Sequence, residues 1–77
     1  MTLYTAQQGK KYLVKKLDME EKTQIRLESL GLTENSMIEL ISSVRGGASI
    51  VKIRGTRFAL GREICEGIYL WGENNEK

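Results

Sequence analysis

Histidine is absent from this 77-residue chain, and cysteine occurs only once, as Cys65. Without an imidazole, the chain lacks the commonest general base, the usual transition-metal ligand and the base of most serine and cysteine triads. The ten acidic residues are scattered over predicted helix caps and solvent-facing positions. The composition therefore argues against hydrolytic chemistry. We expect a domain that binds a partner, is not an enzyme and has no evident cofactor site.

Long apolar runs and paired cysteines are missing as well. No stretch reaches the roughly 18 apolar residues that suggest a membrane-spanning helix, and residues 1–11 contain no apolar run that resembles a signal peptide. A lone cysteine cannot form an internal disulfide, which fits a reducing compartment. We expect a cytoplasmic protein that does not insert into a membrane.

The chain also lacks a strong net charge. Twelve Lys and Arg residues oppose ten Asp and Glu residues, which gives a net charge of +2. Domains that bind duplex nucleic acid usually carry more positive charge, which displaces counterions from phosphates. Nucleic acid is therefore not the expected partner. Basic residues do concentrate around two predicted hairpins, either as a solvated face or as a contact for an acidic partner surface, RNA included: Arg45, Lys52, Arg54, Arg57 and Arg62.

The length fits one small domain. A chain of this size buries only roughly 60% of the surface that its unfolded form exposes, so it has room for a single core. We predict that residues 1–71 form the domain. Residues 72–77 are predicted to form a flexible tail, because they offer no anchor.

One amphipathic helix is predicted from Met19 to Leu30. Asp18 precedes it and Glu21 follows three residues later, a spacing typical of a capping box. Leu27 and Leu30 lie three residues apart, so we expect both to face the core.

The end of this helix carries the most informative pattern in the chain. Gly31 occupies the position where a left-handed C-cap residue is needed, and Leu32 is placed to fold back on Leu27. In the polar turn that follows, Asn35 is the residue best able to take a positive φ. The helix is thus predicted to stop on a glycine and to lead directly into a strand.

Alternating apolar residues predict five short strands, at Lys11–Leu17, Met37–Val44, Ser49–Arg54, 56–60 and Ile68–Trp71. In the first strand Leu17 falls out of phase with Val14, which indicates a bulge or a twist. In the second strand Ile38, Leu40 and Val44 share the predicted inner face.

Glycines punctuate these strands. The pair Gly46 and Gly47 and the single Gly55 are predicted to form hairpin turns. Residues 61–67 are predicted to form a turn of α-helix or 3₁₀-helix. Cys65 in this turn is interpreted as a packed thiol, with a redox-sensitive or metal-contacting role as the alternative. Five bent strands, with one helix between the first two, close most economically as a small SH3-like barrel.

Following the strand alternation outward places four large apolar side chains on the outside of the barrel: Ile41, Ile50, Tyr69 and Trp71. Single exposed apolar residues are normal, so these four are either isolated and half covered by the termini, or together form a docking or self-association surface. With Arg45 and Arg57 of the basic group, they are the candidate partner-binding residues.

Several segments together resemble the FeoA family of ferrous iron transport accessory proteins. The resemblance rests on the order of RLESLGL, with its Leu27, Leu30, Gly31 and Leu32, then SMIELIS, the glycine pair, SIVKIR and RFALGREICEGIYL. It covers nearly the whole chain. Glu34 and Asn35 stand where family members often have Pro-Gly, and Ala48 replaces a frequent proline, so the chain is either a main family member or a divergent paralogue.

The resemblance implies a cytoplasmic, non-enzymatic domain that works with FeoB, the membrane transporter whose cytoplasmic G domain hydrolyses GTP during ferrous iron uptake. The resemblance also implies a second role, in which the domain stimulates that GTPase. In this role Arg45 or Arg57 would supply the arginine finger. The oligomeric state, including a homo-oligomer, stays open.

Two alternative functions remain at this point. The first is a metal-responsive regulatory domain like those appended to metal-dependent repressors, which would require affinity for Fe²⁺ or Mn²⁺. Transition metal ion binding is also associated with the FeoA family, although the lack of histidine argues against tight binding by this chain alone. The second is a small barrel that contacts RNA through its basic residues.

Overall fold

The computed structural model describes residues 1–44 and 47–73. A 3₁₀ turn at Leu3–Thr5 precedes β1 (Lys11–Leu17), α1 (Glu21–Ser29), β2 (Met37–Ser43), β3 (Ser49–Ile53), β4 (Thr56–Leu60), α2 (Arg62–Glu66) and β5 (Ile68–Glu73). The five strands form one antiparallel sheet in the order β4-β3-β2-β1-β5. This confirms the predicted mainly β architecture. Neither of the two helices within these residues is long and apolar enough to cross a membrane.

The inner face of the sheet is filled by aliphatic side chains. Strand alternation places seven residues inward on β2, β3 and β5, and all of them except Val44 are buried: Ile38, Leu40, Val51, Ile53, Ile68 and Leu70. Leu3 from the 3₁₀ turn and Leu32 from the connection after α1 join the same cluster. Burying each such side chain contributes about 1.5–3 kcal/mol relative to leaving it exposed, so this shared interior holds the strands together.

The C-terminus of α1 has the predicted geometry. Gly31 adopts φ +103°, its N–H donates to the carbonyl of Glu28, and the N–H of Leu32 donates to the carbonyl of Leu27, both at 3.0 Å. These two hydrogen bonds define a Schellman motif. Leu27 and Leu32 are both buried, so the prediction that Leu32 folds back over Leu27 is confirmed.

The predicted start of α1 was wrong. The helix begins at Glu21 with Glu20 as its N-cap residue, and no side chain caps it. The N–H of Asp18 donates to the carbonyl of Gly67 at 2.7 Å. This bond holds Asp18 at the end of β1, too far ahead of the helix for a capping box.

Leu30 was also wrongly predicted as a core residue, because its side chain is 39% exposed. Leu30 is the C-cap of α1, where the chain already turns toward Gly31. The core position is filled by Leu32 instead, which lies after the turn and is fully buried.

Val44 does not share the inner face of β2, since it is 65% exposed. The pairing of β2 with β3 shifts register between Leu40 and Ser42. A one-residue shift reverses which face each later side chain occupies. β2 also ends at Ser43, one residue before Val44.

The turns follow the sequence where the structure describes them. Arg54 and Gly55 have φ +52° and +83°, and Ile53 pairs with Thr56 across them, which makes a two-residue type I′ hairpin. Asn35 has the predicted positive φ, +68°.

Two predicted segments fall wholly or partly outside the described residues. Gly46 of the predicted glycine pair and Arg45 lie there, whereas the N–H of Gly47 donates to the carbonyl of Val44 at 2.8 Å. Residues 74–77 of the predicted tail also lie there. Gly72 and Glu73 belong to β5 and pair with β1, so the strand extends two residues further than predicted.

Gly67 lies where α2 and β5 pack against the end of β1. A Cβ at this position would collide with the carbonyl oxygen of Asp18. Its φ of −95° is one that any residue adopts, so glycine is needed here for space.

Replacing Gly67 by alanine is expected to lower the free energy of unfolding by roughly 1–3 kcal/mol, the usual cost of overpacking. Gly61→Ala is the matched control, since nothing lies within 4 Å of its Cβ position and its φ is −71°. Gly61 is the N-cap residue of α2, where glycine is preferred to alanine, so that control should lower the free energy of unfolding by less than about 1 kcal/mol. Urea denaturation measures both, and equal midpoints would contradict the steric explanation.

Cys65 packs as a buried thiol, with no exposed surface. Its Sγ–H donates to the carbonyl of Leu60 at 3.7 Å. Burial raises the pKa of the Cys65 thiol, as does the nearby charge of Glu66, against the opposing effect of a hydrogen bond with the Ser49 side chain. A buried thiol with a raised pKa carries little thiolate and is inert.

The native domain should therefore react with a thiol reagent such as 5,5′-dithiobis(2-nitrobenzoate) only when it unfolds. We expect labelling of Cys65 to be slow at neutral pH and to accelerate with urea in parallel with unfolding. Absorbance of the released thiolate gives the rate. Fast labelling that is independent of urea would show that the thiol is accessible in the folded state.

Candidate protein-docking surfaces

The four apolar residues predicted on the barrel exterior divide into two separate pairs. Ile41 and Ile50 lie on β2 and β3, whereas Tyr69 and Trp71 lie on β5. β1 stands between β2 and β5 in the sheet, and its first residues pair with β2 while its last residues pair with β5 beside Tyr69. The structure therefore brings Tyr69 and Trp71 together but places them apart from the isoleucines.

The two pairs also differ in exposure. Ile41 and Ile50 are half-buried, and so is Tyr69. Trp71 is 62% exposed, which makes it one of the most exposed large apolar side chains in the described part of the chain. An exposed tryptophan offers a partner a large apolar area and loses little side-chain entropy when the partner binds. Trp71 is therefore the strongest candidate among the four for contact with a partner.

Two lysines accompany the aromatic pair. The Nζ of Lys15 lies 4.9 Å from the centroid of the Trp71 ring, and the Nζ of Lys16 lies 5.1 Å from that of Tyr69. Both distances are within the range of a cation–π interaction. We call these four residues the aromatic–lysine surface.

The bulge in β1 explains how two consecutive lysines reach the same side. Register shifts flank Val14 in the pairing of β1 with β5, and Lys15 and Lys16 are both exposed. In a regular strand, neighbouring side chains point to opposite faces. Sequence reasoning identified the phase slip after Val14 but missed its consequence for the lysines.

The N-terminal residues cover part of the outer edge of β5. The N–H of Leu70 donates to the carbonyl of Met1 at 2.7 Å, and Thr2 forms a single bridge with Tyr69. This contact accounts for the partial burial of Tyr69. It leaves Trp71 and the exposed side chain of Met1 accessible.

A second surface consists of charged residues that lie directly opposite one another on four strands. Lys11 of β1 pairs with Glu39 of β2, which pairs with Lys52 of β3, which pairs with Arg57 of β4. We call this set the basic row. Glu39 lies between two lysines, and Lys52 and Arg57 are two cations side by side.

A groove of about 370 Å³ runs beside the basic row, toward the β3–β4 hairpin. It is lined by Lys11, Met37, Glu39, Lys52, Arg54 and Gly55. The side chain of Arg54 passes over the C-terminus of α1, where its Cδ lies 3.0 Å from the position of a Cβ on Gly31. A cation at that place is favoured by the helix dipole.

The basic group predicted from the sequence is only partly assembled. Lys52, Arg54 and Arg57 lie near one hairpin, as expected. Arg62 is elsewhere, stacked 4.8 Å from the Tyr4 ring centroid and paired with Glu66 at 3.2 Å. Arg45 is outside the described residues. Lys11 and Glu39 join the group through strand register, which the sequence alone did not reveal.

Neither surface has the donor set of a metal site. Within residues 1–44 and 47–73, no group of three or more His, Cys, Asp or Glu side chains could hold a metal ion. Cys65 is buried, apart from both surfaces.

Comparison with known proteins gives a consistent result. The model of the FeoA domain family matches residues 1–70. No curated protein sequence matches the chain.

Solved structures share the fold over most of its length. An iron uptake regulatory protein, FeoA, is 26% identical, with 91% of this chain and 93% of that chain covered and a TM-score of 0.83. FeoA of Stenotrophomonas maltophilia, solved with zinc and described as a prokaryotic SH3 domain protein, is 24% identical, with 91% and 88% covered and a TM-score of 0.77. A manganese-dependent transcriptional repressor has the same fold in 40% of its length, at 17% identity and a TM-score of 0.82.

The family match extends into β5 and includes the core, the Gly31 cap, the basic row and all of the aromatic–lysine surface except Trp71. The chain therefore belongs to the FeoA domain family.

Proposed function

We propose that this domain is a cytoplasmic accessory factor of bacterial ferrous iron uptake that acts by binding the cytoplasmic G domain of a FeoB-type transporter. Its membership of the FeoA family, which carries the proposal, gives it a role in ferrous iron transport. A binding role agrees with a surface that offers exposed aromatic and charged side chains. Aromatic side chains are enriched where proteins contact one another, and charged ones at the rim of the contact favour partners of opposite charge.

The aromatic–lysine surface is the proposed contact. Trp71 would supply the apolar anchor, because 62% of its surface is accessible before binding. Lys15 and Lys16 already rest over the rings, so little side-chain freedom remains to be lost when a partner docks. Their charges favour a partner surface with exposed carboxylates.

Ile41 and Ile50 are not required for this contact. They are half-buried and belong to the other side of β1. Their part in docking or self-association stays a prediction from the sequence.

Replacing Trp71 by serine should weaken binding to a purified G domain by at least about tenfold, because truncating an interface tryptophan commonly costs 2 kcal/mol or more. Ile25→Ser is the matched control, since Ile25 is 57% exposed on α1 and lies away from the aromatic–lysine surface. Isothermal titration calorimetry gives both affinities, with the G domain empty, bound to GDP or bound to a non-hydrolysable GTP analogue.

Two results would contradict the proposal in different ways. Absence of binding by the unmodified domain in all three nucleotide states would remove the G domain as partner. Equal affinities of the Trp71→Ser and Ile25→Ser variants would leave the partner in place but remove the aromatic–lysine surface as the contact.

A metal-responsive regulatory domain is the competing function, and it would require saturable Fe²⁺ or Mn²⁺ binding. The described residues offer no cluster of three or more ligating side chains, and carboxylates alone bind these ions weakly unless several converge. We therefore expect anaerobic calorimetry with Fe²⁺ to give no stoichiometric binding by the isolated domain. A saturable isotherm at one ion per chain would favour the regulatory function.

A further inference from the structure

The outer edge of β4 is unpaired. β4 is the last strand of the sheet, it pairs only with β3, and the residues that the structure describes provide no other strand beside it. Its five pairs with β3 run from Ser49↔Leu60 to Ile53↔Thr56 without a register shift. Unlike β1 and β2, this strand therefore has no bulge that would disrupt pairing with an added strand.

The hairpin fixes which backbone groups face outward. In a two-residue type I′ turn the flanking residues, here Ile53 and Thr56, exchange hydrogen bonds. Hydrogen-bonded pairs alternate with non-hydrogen-bonded pairs, so Phe58 also bonds to β3, whereas Arg57 and Ala59 direct their N–H and C=O groups to the open edge. Arg57 and Ala59 are both exposed.

The charges beside this edge are unbalanced. Lys52 and Arg57 are directly opposite each other, an arrangement of like charges that destabilises a sheet. No carboxylate of the described chain forms an ion pair with either residue. Glu39, the one acid in the basic row, is already placed between Lys11 and Lys52.

The positive charge of Arg57 also argues against a second copy of this chain as the occupant of the open edge. A second copy of β4 added antiparallel would bring one Arg57 side chain near another, and like charges suppress such self-pairing. An acidic residue opposite Arg57 would instead meet two neighbouring cations. Charge thus disfavours self-association at this edge and favours an acidic strand.

From these observations we propose that the open edge of β4 binds an extended acidic segment of a partner protein as an added strand. The outward N–H and C=O groups of Arg57 and Ala59 would pair with its backbone. A carboxylate on the residue opposite Arg57 would lie on the same face as Lys52, at the Arg57 end of the basic row. This surface differs from the aromatic–lysine surface, and the inference does not require that the partner be the iron transporter.

RNA fits this edge less well than an acidic peptide. Single-stranded RNA is held by aromatic side chains on which bases stack. Tyr69 and Trp71 are on β5, at the opposite end of the strand order. Phe58 of β4 is packed against the core. The carboxylate of Glu39 within the basic row would also repel phosphates.

The test uses the ¹⁵N-labelled full chain and a capped synthetic peptide of alternating glutamate and valine. We expect the largest amide shifts, and slowed hydrogen exchange, at Arg57 and Ala59. Affinity should fall as salt rises, because the contact is partly electrostatic. A peptide of alternating lysine and valine should not bind.

Two variants separate charge from backbone pairing. Arg57→Glu should weaken binding of the glutamate peptide by at least about tenfold, because it places a carboxylate at the contact and leaves Lys52 as the one cation of the pair. Arg26→Glu is the matched control, since Arg26 is an exposed residue of α1 and the change in net charge is identical. Ala59→Pro removes an outward N–H without removing a hydrogen bond to β3, and should also abolish peptide binding.

Four outcomes would overturn the inference. The first three are no binding of the glutamate peptide, amide shifts confined to Tyr69 and Trp71, and tighter binding of an oligouridylate than of the glutamate peptide. Loss of peptide binding in Arg26→Glu as in Arg57→Glu would show a general charge effect and would count equally against it. A G domain that fails to bind the unmodified chain, while the peptide arm succeeds, would contradict only the proposed transporter partner.

Discussion

The hydrogen bond from the N–H of Leu32 to the carbonyl of Leu27 closes α1 and directs the chain into β2. It depends on the positive φ of Gly31, which side chains with a Cβ rarely adopt. It also depends on the burial of both leucines, which attach a helix of only nine residues to the sheet. Leu27 is the single buried residue of α1, so the helix is held largely through its own C-terminus. An isolated helix of this length would be marginal in water.

The aromatic–lysine surface owes its two lysines to an irregularity in strand pairing. The register shifts on either side of Val14 turn both Lys15 and Lys16 outward, where they cover the aromatic rings of β5. Another, between Leu40 and Ser42, exposes Val44 at the end of β2. β4 has no such shift, and its regular pairing leaves an open edge. The register shifts therefore decide which side chains of β1 and β2 are exposed, and the lack of a shift leaves the edge of β4 open to pairing.

In the proposed function, the domain is an adaptor with two separable contacts. The aromatic–lysine surface offers an apolar anchor with positive charge, while the basic row offers charge and an unpaired strand edge with little apolar area. Trp71 on β5 and Arg57 on β4 lie at opposite ends of the strand order. A domain of 77 residues with one core can thus present two chemically distinct surfaces.

Several features of the fold could be predicted from the sequence alone. The glycine stop at Gly31, the positive φ of Asn35, the hairpin at Gly55 and the inward alternation of β3 all follow from local backbone preference and a period of two, and all were predicted correctly. The family resemblance rests on the same local patterns, and the match over residues 1–70 confirms it.

The remaining features depend on residues distant in sequence. The local sequence places Asp18 as a helix cap, but in the fold its N–H donates to the carbonyl of Gly67. The helical spacing places Leu30 in the core, but in the fold Leu32 takes that position. Lys11, Glu39, Lys52 and Arg57 form a row only because three separate registers bring them into line. The sequence by itself determined where the chain turns, which residues are apolar enough for the core and which family the domain belongs to, because these are short-range properties. Only the tertiary structure decided which side chains share a surface, because a shift of one residue in register moves a side chain to the opposite face.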